Sequence, residues 1–301
     1  MESMQREHAP GRPGFGRRHA LGIAGGFVGL LGAAGIAGAQ TMPPQDAPAV
    51  PATDVLNFAL NLEYLEAEYY QRGAFGRSLP PQLTDGQGTP GMVRGGDRVP
   101  FITSWVQQFM QEVADDEYDH VRFLRQALGT AAVARPEIDF VGAFTTAMQA
   151  AGVIGPGETF DPFANEGNFL LGAFLFEDVG VTAYKGAAPL LDDKGLLEAA
   201  AGILAIEAYH AGMIRTALFL RRQGEATIGI ATARDTLDGP GNKDAGVVRF
   251  SADGAPHSNV VLEDENGLAY SRSPREVLNI VYLGGQAAGG FFPNGVNGAI
   301  A

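Results

Sequence analysis

Cysteine is missing from all 301 residues. Its absence excludes a disulfide framework, a thiolate metal site, an iron–sulfur cluster and a cysteine nucleophile. Basic residues are few: 21 Lys and Arg face 34 Asp and Glu, a formal net charge of -13. A nucleic acid would be repelled rather than steered in, so no nucleic-acid partner is expected. Histidine is scarce as well, at 5 residues, so the position of each one carries weight. What remains is an ordinary globular mixture, 46% hydrophobic and 18% charged, enough for a sizeable core. Gly at 42 and Pro at 18 predict long loops.

Residues 1–39 read as an address rather than as part of the fold. Arg17 and Arg18 precede an uncharged stretch from Ala20 to Ala39, rich in Gly and Ala, that ends Ala37-Gly38-Ala39. The paired arginines resemble a twin-arginine export signal, and the small-x-small end suits a signal peptidase. A periplasmic or extracellular mature protein is therefore expected. The alternative is a retained anchor, since 20 uncharged residues could just span a bilayer. Cleavage leaves 17 basic and 32 acidic residues, a net of -15, and only His120, His210 and His257. It also leaves no stable membrane anchor. Residues 40–52 form a Pro-rich linker.

From there the apolar residues recur at helical spacing. Val55, Phe58, Ala59, Leu62, Leu65 and Tyr69 predict a helix over 53–72, capped by Thr53 and stopped by Gly73. A Gly/Pro-rich loop spans 73–99, and a second helix runs 100–128 from Pro100 to Gly129, with Ile102, Trp105, Val106, Phe109 and Val113 on its apolar face. A short helix around Phe140–Ala151 lies inside a long crossover. A third helix covers 162–186 and a fourth 194–223, the last with basic residues at its C-terminal end. Two antiparallel pairs joined by a long crossover make an all-α core over 53–224, the ferritin-like variant of the four-helix bundle. Residues 225–301 predict a small irregular extension. It has short strands at Val247-Val248 and Val260-Val261-Leu262, and a helix over 274–283 opened by Ser273-Pro274. Its tail packs on the bundle through Phe291 and Phe292. No phosphate-binding loop is present.

Two motifs on alternate helices carry the chemistry. Glu117-Tyr118-Asp119-His120 and Glu207-Ala208-Tyr209-His210 are each Glu-x-x-His, which puts both side chains on one helix face, one turn apart. The other two helices share a second pattern: Glu63 is followed by Tyr70, and Glu177 by Tyr184, each seven residues on. Four Glu and two His, one Glu from each of two helices and a Glu-x-x-His from each of the others, are the ligand set of a dinuclear carboxylate site. Hard oxygen ligands with imidazole suit two iron or two manganese ions. Four carboxylates offset two divalent cations; without metal they would repel one another. On the expected helix ends, Glu63 and Glu117 differ in height by roughly 12 Å, a mismatch assigned to the loop between them.

Other residues have competing readings. Glu66 lies one turn from Glu63 and is its rival as a ligand, whereas Glu68 is expected to face solvent. Glu112, Asp115, Asp116 and Asp119 read as an exposed acidic face, from which Asp116 or Asp119 could orient a histidine. Tyr70 and Tyr184 read as core aromatics or, alternatively, as redox participants; their paired placement points to hydrogen bonds to the carboxylates and a supporting part in catalysis. His257 is expected at the surface, and Asp235, Asp238 and Asp244 as turn residues, since they lack calcium-loop spacing.

LNFALNLEYLEAEYY, the EYDH and EAYH motifs, and the ending SPREVLNIVYLGGQAAGGFFPNG together resemble the exported ferritin-like domain family. That family includes plant desiccation-related and fungal stress-induced proteins. The resemblance spans about residues 53–298. It implies Glu63 and Glu177 as terminal ligands, Glu117 and Glu207 as bridging ligands, and His120 and His210 as terminal ligands. It does not supply a settled reaction. The leading expectation is a redox enzyme or metal-oxidising protein that handles peroxide, oxygen or metal ions in the cell envelope. A stress-protective protein with a structural metal site is the alternative. Iron storage ranks lower, because the long loop and tail burden a compact shell subunit. A homodimer is the default assembly.

Overall fold

The computed structural model describes residues 50–301. The segment expected to be an export signal, and all but the last three residues of the expected linker, lie outside the described residues. Four long helices form the core: α1 (Ala52–Phe75), α2 (Ser104–Leu128), α4 (Glu166–Ala187) and α5 (Lys194–Leu220). A short α3 (Gly142–Ala150) sits in the crossover, and α6 (Gly224–Leu237) and α7 (Pro274–Val281) follow the bundle. The described chain is thus mostly helical, a ferritin-like bundle with a small extension. Its strands are minimal. β1 (Val93–Arg94) pairs in parallel with β2 (Ile138–Asp139), tying the first loop to the crossover, and β3 (Val248–Phe250) pairs antiparallel with β4 (Pro256–Ser258).

The inner and outer helices are visible in their burial. α1 is buried at nearly every position from Val55 to Ala74, and α4 from Phe169 to Tyr184. α2 and α5 are amphipathic, with buried faces at Val106, Met110, Val113, Glu117, His120, Val121 and Leu124, and at Ile203, Glu207, His210, Ile214 and Leu218. Helix starts have side-chain caps: Asn165 opens α4, Asp193 opens α5, and Ser273 with Glu276 forms a capping box before Pro274 on α7.

Several helix boundaries differ from the sequence pattern, most of them for a local reason. α1 does not stop at Gly73; it runs on to Gly76, whose φ of 71° ends it. Gly73 is a packing residue, since a Cβ there would lie 2.2 Å from the Phe169 ring. α1 also starts at Ala52, without a Thr53 cap. α2 starts at Ser104, not at Pro100, because the Glu166 carboxylate takes the backbone N–H groups of Ile102 and Thr103 at 3.1 and 2.9 Å. Ile102 is consequently 89% exposed instead of lying in the core. α5 ends at Leu220, where Arg222 adopts a φ of 58°, and a separate helix, α6, begins. The Thr- and Ile-rich α6 was not apparent as a helix in the sequence, although its buried Thr227, Ile230, Ala231 and Arg234 have helical spacing. These corrections remove the height mismatch. Glu63 lies 12 residues before the end of α1, and Glu117 lies 13 after the start of α2.

The extension is fastened to the bundle by buried charge as much as by apolar contact. Asp178 on α4 receives Arg215 of α5 at 2.8 Å and Arg234 of α6 at 2.9 Å. Arg234 also meets Asp244 at 2.6 Å, and Arg272 joins Asp244 at 3.0 Å to Asp238 at 2.7 Å. Asp238 and Asp244 are therefore buried ion partners rather than turn residues. Asp235 does close a turn, accepting from the Lys243 N–H at 2.8 Å. Val260-Val261-Leu262 is not a strand; the Val260 carbonyl accepts from the Arg215 guanidinium at 3.1 Å. The tail packs as expected. The fully buried Phe291 meets Phe144 and Phe176, each with ring centroids 4.9 Å apart, and Asn297 exchanges hydrogen bonds with Asn61 on α1.

Candidate metal centre

α1 and α4 each bring one carboxylate to the bundle axis, and α2 and α5 each bring a carboxylate and an imidazole. Glu63, Glu117, Glu177 and Glu207 are fully buried; His120 and His210 are buried. They form two overlapping groups of possible ligands. Glu63, Glu117, His120 and Glu207 are one; Glu117, Glu177, Glu207 and His210 are the other, with ligand atoms within 4.8 Å of one another in each. Glu117 and Glu207 belong to both. The imidazole rings lie 6.3 Å apart on either side.

Both tyrosines reach across to the other half. Tyr70 donates to Glu177 Oε1 at 2.5 Å, and Tyr184 donates to Glu63 Oε1. Asp116 accepts from His210 Nε2 at 3.0 Å. A carboxylate can only accept here, so the proton sits on Nε2. His210 Nδ1 then faces Glu117 Oε1 at 3.0 Å and Glu177 Oε2 at 3.4 Å without a hydrogen-bond partner. Both oxygens of Glu117, both of Glu207 and one of Glu177 are likewise buried without a partner. Buried polar atoms are almost always satisfied. A lone pair on Nδ1 would be repelled by these oxygens, so the gap calls for a cation, a proton on Nδ1 in the metal-free chain or a metal ion in its place, and the donor set fits a metal ion.

Electrostatics point the same way. Burial pushes the Glu63 carboxyl up to about 7 against the pull of His120. Burial also raises Glu177, and it raises Glu207 and Glu66 strongly, with neighbouring carboxylates adding to the last two. Burial would raise Glu117 as well, but His120 and His210 outweigh it and hold it low. Burial would lower His120, yet Glu63 and Glu117 push it up to about 12, and His210 is pushed up by Glu177 and Asp116. Buried protons thus stand in for missing positive charge, and cations would displace them.

The surrounding acids sort differently from the sequence reading in one case. Glu68 does not face solvent. It is fully buried, bonded to Arg72 at 3.0 Å and to Arg135 from the crossover. Glu112 and Asp115 are exposed, and Asp119 pairs with Arg122 at 2.6 Å on the surface. Asp116 alone of that face turns to a site histidine. His257 is exposed on β4. Glu66, the rival of Glu63, is buried beside the site but belongs to neither group of four.

Comparison with known proteins agrees with this architecture. The ferritin-like domain model matches residues 52–220, which is α1 through α5. The chain belongs to the ferritin-like family. Two curated relatives of this ferritin-like chain match across most of their length. A desiccation-related protein, PCC13-62, from Craterostigma plantagineum is 34% identical over 248 aligned positions, covering 76% of this chain and 77% of its own. A ferritin-like catalase, Nec2, from Nesocodon mauritianus is 31% identical over 268 positions, covering 82% of this chain and 84% of its own. No solved structure matches.

Proposed function

We propose that the mature chain is exported and binds two iron or two manganese ions between α1, α2, α4 and α5, using them to handle peroxide or oxygen under stress. One observation carries this reading: two ligand groups share Glu117 and Glu207, and their buried oxygens have no other partner. The name of the catalase relative supports a redox enzyme. Glu63 and His120 would hold one metal and Glu177 and His210 the other, with Glu117 and Glu207 between them. When bound, such a pair supplies two-electron redox chemistry suited to peroxide disproportionation or oxygen reduction.

The chain's own residues prepare the site. Asp116 holds a proton on His210 Nε2, so that Nδ1 is the atom left for a metal once its own proton leaves. Tyr70 and Tyr184 orient Glu177 and Glu63 through hydrogen bonds; Glu177 Oε2 is left without a partner, and Glu63 Oε2 faces His120 Nδ1 at 3.2 Å. The burial of α1 and α4 keeps bulk water from the carboxylates. The protons held on Glu63, Glu207 and the two histidines leave as cations enter.

Glu207→Ala tests the reading. Bound metal is expected to fall well below two per chain, and peroxide consumption to be lost; unchanged metal content would count against it. The desiccation-related relative favours a second reading, a protective protein whose bundle is stabilised by metal. A metal-loaded chain inert toward peroxide, oxygen and ferrous iron would select it.

A further inference from the structure

The two faces of the metal centre differ in polarity. Toward α2 and α5 the Asp116 side chain is 43% exposed and the His120 side chain 11%. Toward α1, α4 and α7 the surroundings are apolar, and Gly180 on α4 makes an opening. A Cβ at Gly180 would lie 2.1 Å from Glu207 Oε2 and 3.4 Å from Glu66 Oε1, so the bare backbone leaves both carboxyl groups facing a gap. Gly180 and Glu66 also border a small void of about 10 Å³, closed by Leu62, Leu65, Leu175, Val179 and Val281 among others. Glu66 is its only polar side chain. A buried water needs two to four polar partners, so this void stays dry.

A larger space begins one side chain further out. Between α3, α6 and α7 lies a groove of about 210 Å³, with apolar walls that include Ala147, Ile230, Leu237, Ile280 and Leu283. Exposed Thr146, Ala150 and Thr232 form its outer edge. Its polar groups are mostly engaged already. The Thr232 and Thr236 hydroxyls donate to carbonyls of their own helix at 2.8 and 2.7 Å, and Arg234 is held by Asp178 and Asp244. Leu175 of α4 borders both the groove and the void, the one residue common to the two, and is itself buried. On α7, Ile280 faces the groove and the next residue, Val281, faces the void. A leucine side chain therefore stands between a groove open at the surface and the gap beside the carboxylates. Core side chains change rotamer without moving the backbone, so Leu175 can join the two spaces transiently.

We propose that this series of spaces is an entry route for dioxygen, with Leu175 as its gate. The route rests on the paired-metal reading given above and deepens it by naming a substrate class, a small, uncharged and weakly hydrated oxidant. The lining makes that selection. Dioxygen gives up little hydration on entering an apolar passage. Hydrogen peroxide would have to leave its hydrogen bonds behind and find none, and an anion or a metal ion would lose its whole hydration shell. Those polar species are left the α2 and α5 face, where Asp116 and His120 approach solvent. The C-terminal extension thereby acquires a part in function, since α6 and α7 supply two walls of the groove.

Methyl NMR of the chelator-treated mature chain under pressurised dioxygen tests this without any activity measurement, because the paramagnetic gas speeds relaxation of the methyls it reaches. In wild type the methyls of Leu65, Val179 and Val281 should relax faster with dioxygen than those of Val106 and Leu124, which are as deeply buried but border neither space. Leu175→Phe should close the gate and bring Leu65 and Val179 down to the level of Val106 and Leu124. If Leu175→Phe does not fold, Ala150→Trp at the exposed edge of the groove should produce the same loss. Equal enhancement at Leu65, Val179, Val106 and Leu124 in wild type, or a blocked variant that superimposes on wild type, would overturn the proposal. A chain that shows the expected pattern but takes up no iron or manganese would overturn only the paired-metal reading on which the substrate assignment stands.

Discussion

Raising the pH should destabilise the metal-free chain and strengthen the metal-loaded one. The sign follows from the direction in which each buried group is shifted. Glu63 is held at about 7 in the fold against an ordinary value of 4.5. Between those two values the folded chain keeps a proton that the unfolded chain has released, so stability falls as pH rises. The 2.5-unit gap is about 3 kcal/mol at 1.36 kcal/mol per unit. His120 sits near 12 against 6.5. Its stabilisation is complete below pH 6.5 and is lost progressively above it, in the same direction as that of Glu63. Glu177, Glu207, Glu66 and His210 are shifted in the same direction. Glu117 is lowered, so its titration lies below this window and does not oppose the trend. The two shifts share the Glu63–His120 interaction and do not add, so a loss of roughly 3 kcal/mol is expected, a fall in Tm of about 6–12 °C for a chain of this size. Thermal melts of the chelator-treated protein between pH 5 and pH 8 measure it. Bound cations replace these protons, so the metal-loaded chain should gain stability over the same range. A metal-free Tm that is flat or rises from pH 5 to pH 8 would refute the argument that the site stores protons in place of metal.

Three further outcomes follow from single contacts. Arg272→Ala leaves buried Asp238 with only Lys243 at 3.7 Å and takes one of two guanidinium partners from Asp244, and should cost about 3–5 kcal/mol in chemical denaturation. Tyr184→Phe removes the hydrogen bond to Glu63 and should lower the stability of the metal-loaded chain by about 2 kcal/mol; an unchanged melt would show that the phenol does not hold that carboxylate. Gly73→Ala separates propensity from packing: helix propensity favours Ala by about 1 kcal/mol. The Phe169 ring 2.2 Å from the new Cβ should reverse that into a net loss, read as a lower denaturation midpoint.

The six candidate positions were legible in the sequence because helical spacing converts Glu-x-x-His into one face, and because the motif occurs twice on alternate helices. The structure brings Glu63, Glu117, His120, Glu177, Glu207 and His210 together around one axis. The Tyr70 and Tyr184 hydrogen bonds were legible for the same reason. What stayed hidden depends on partners distant along the chain. Glu68 looks like a surface acid until Arg135 arrives from the crossover. Asp238 and Asp244 look like turn residues until Arg272 arrives from beyond β4. Gly73 reads as a helix stop because spacing carries no information about the Phe169 ring. The start of α2 was misplaced because Glu166, on another helix, binds the backbone that would have extended it.

The central claim is that four carboxylates and two imidazoles are gathered to hold two metal ions. Elemental analysis of the mature protein, purified without added metal or chelator, tests it most directly. About two iron or two manganese per chain is the predicted result, and the element found would choose between oxygen chemistry and peroxide disproportionation for the next assay. A folded bundle carrying no transition metal would contradict it.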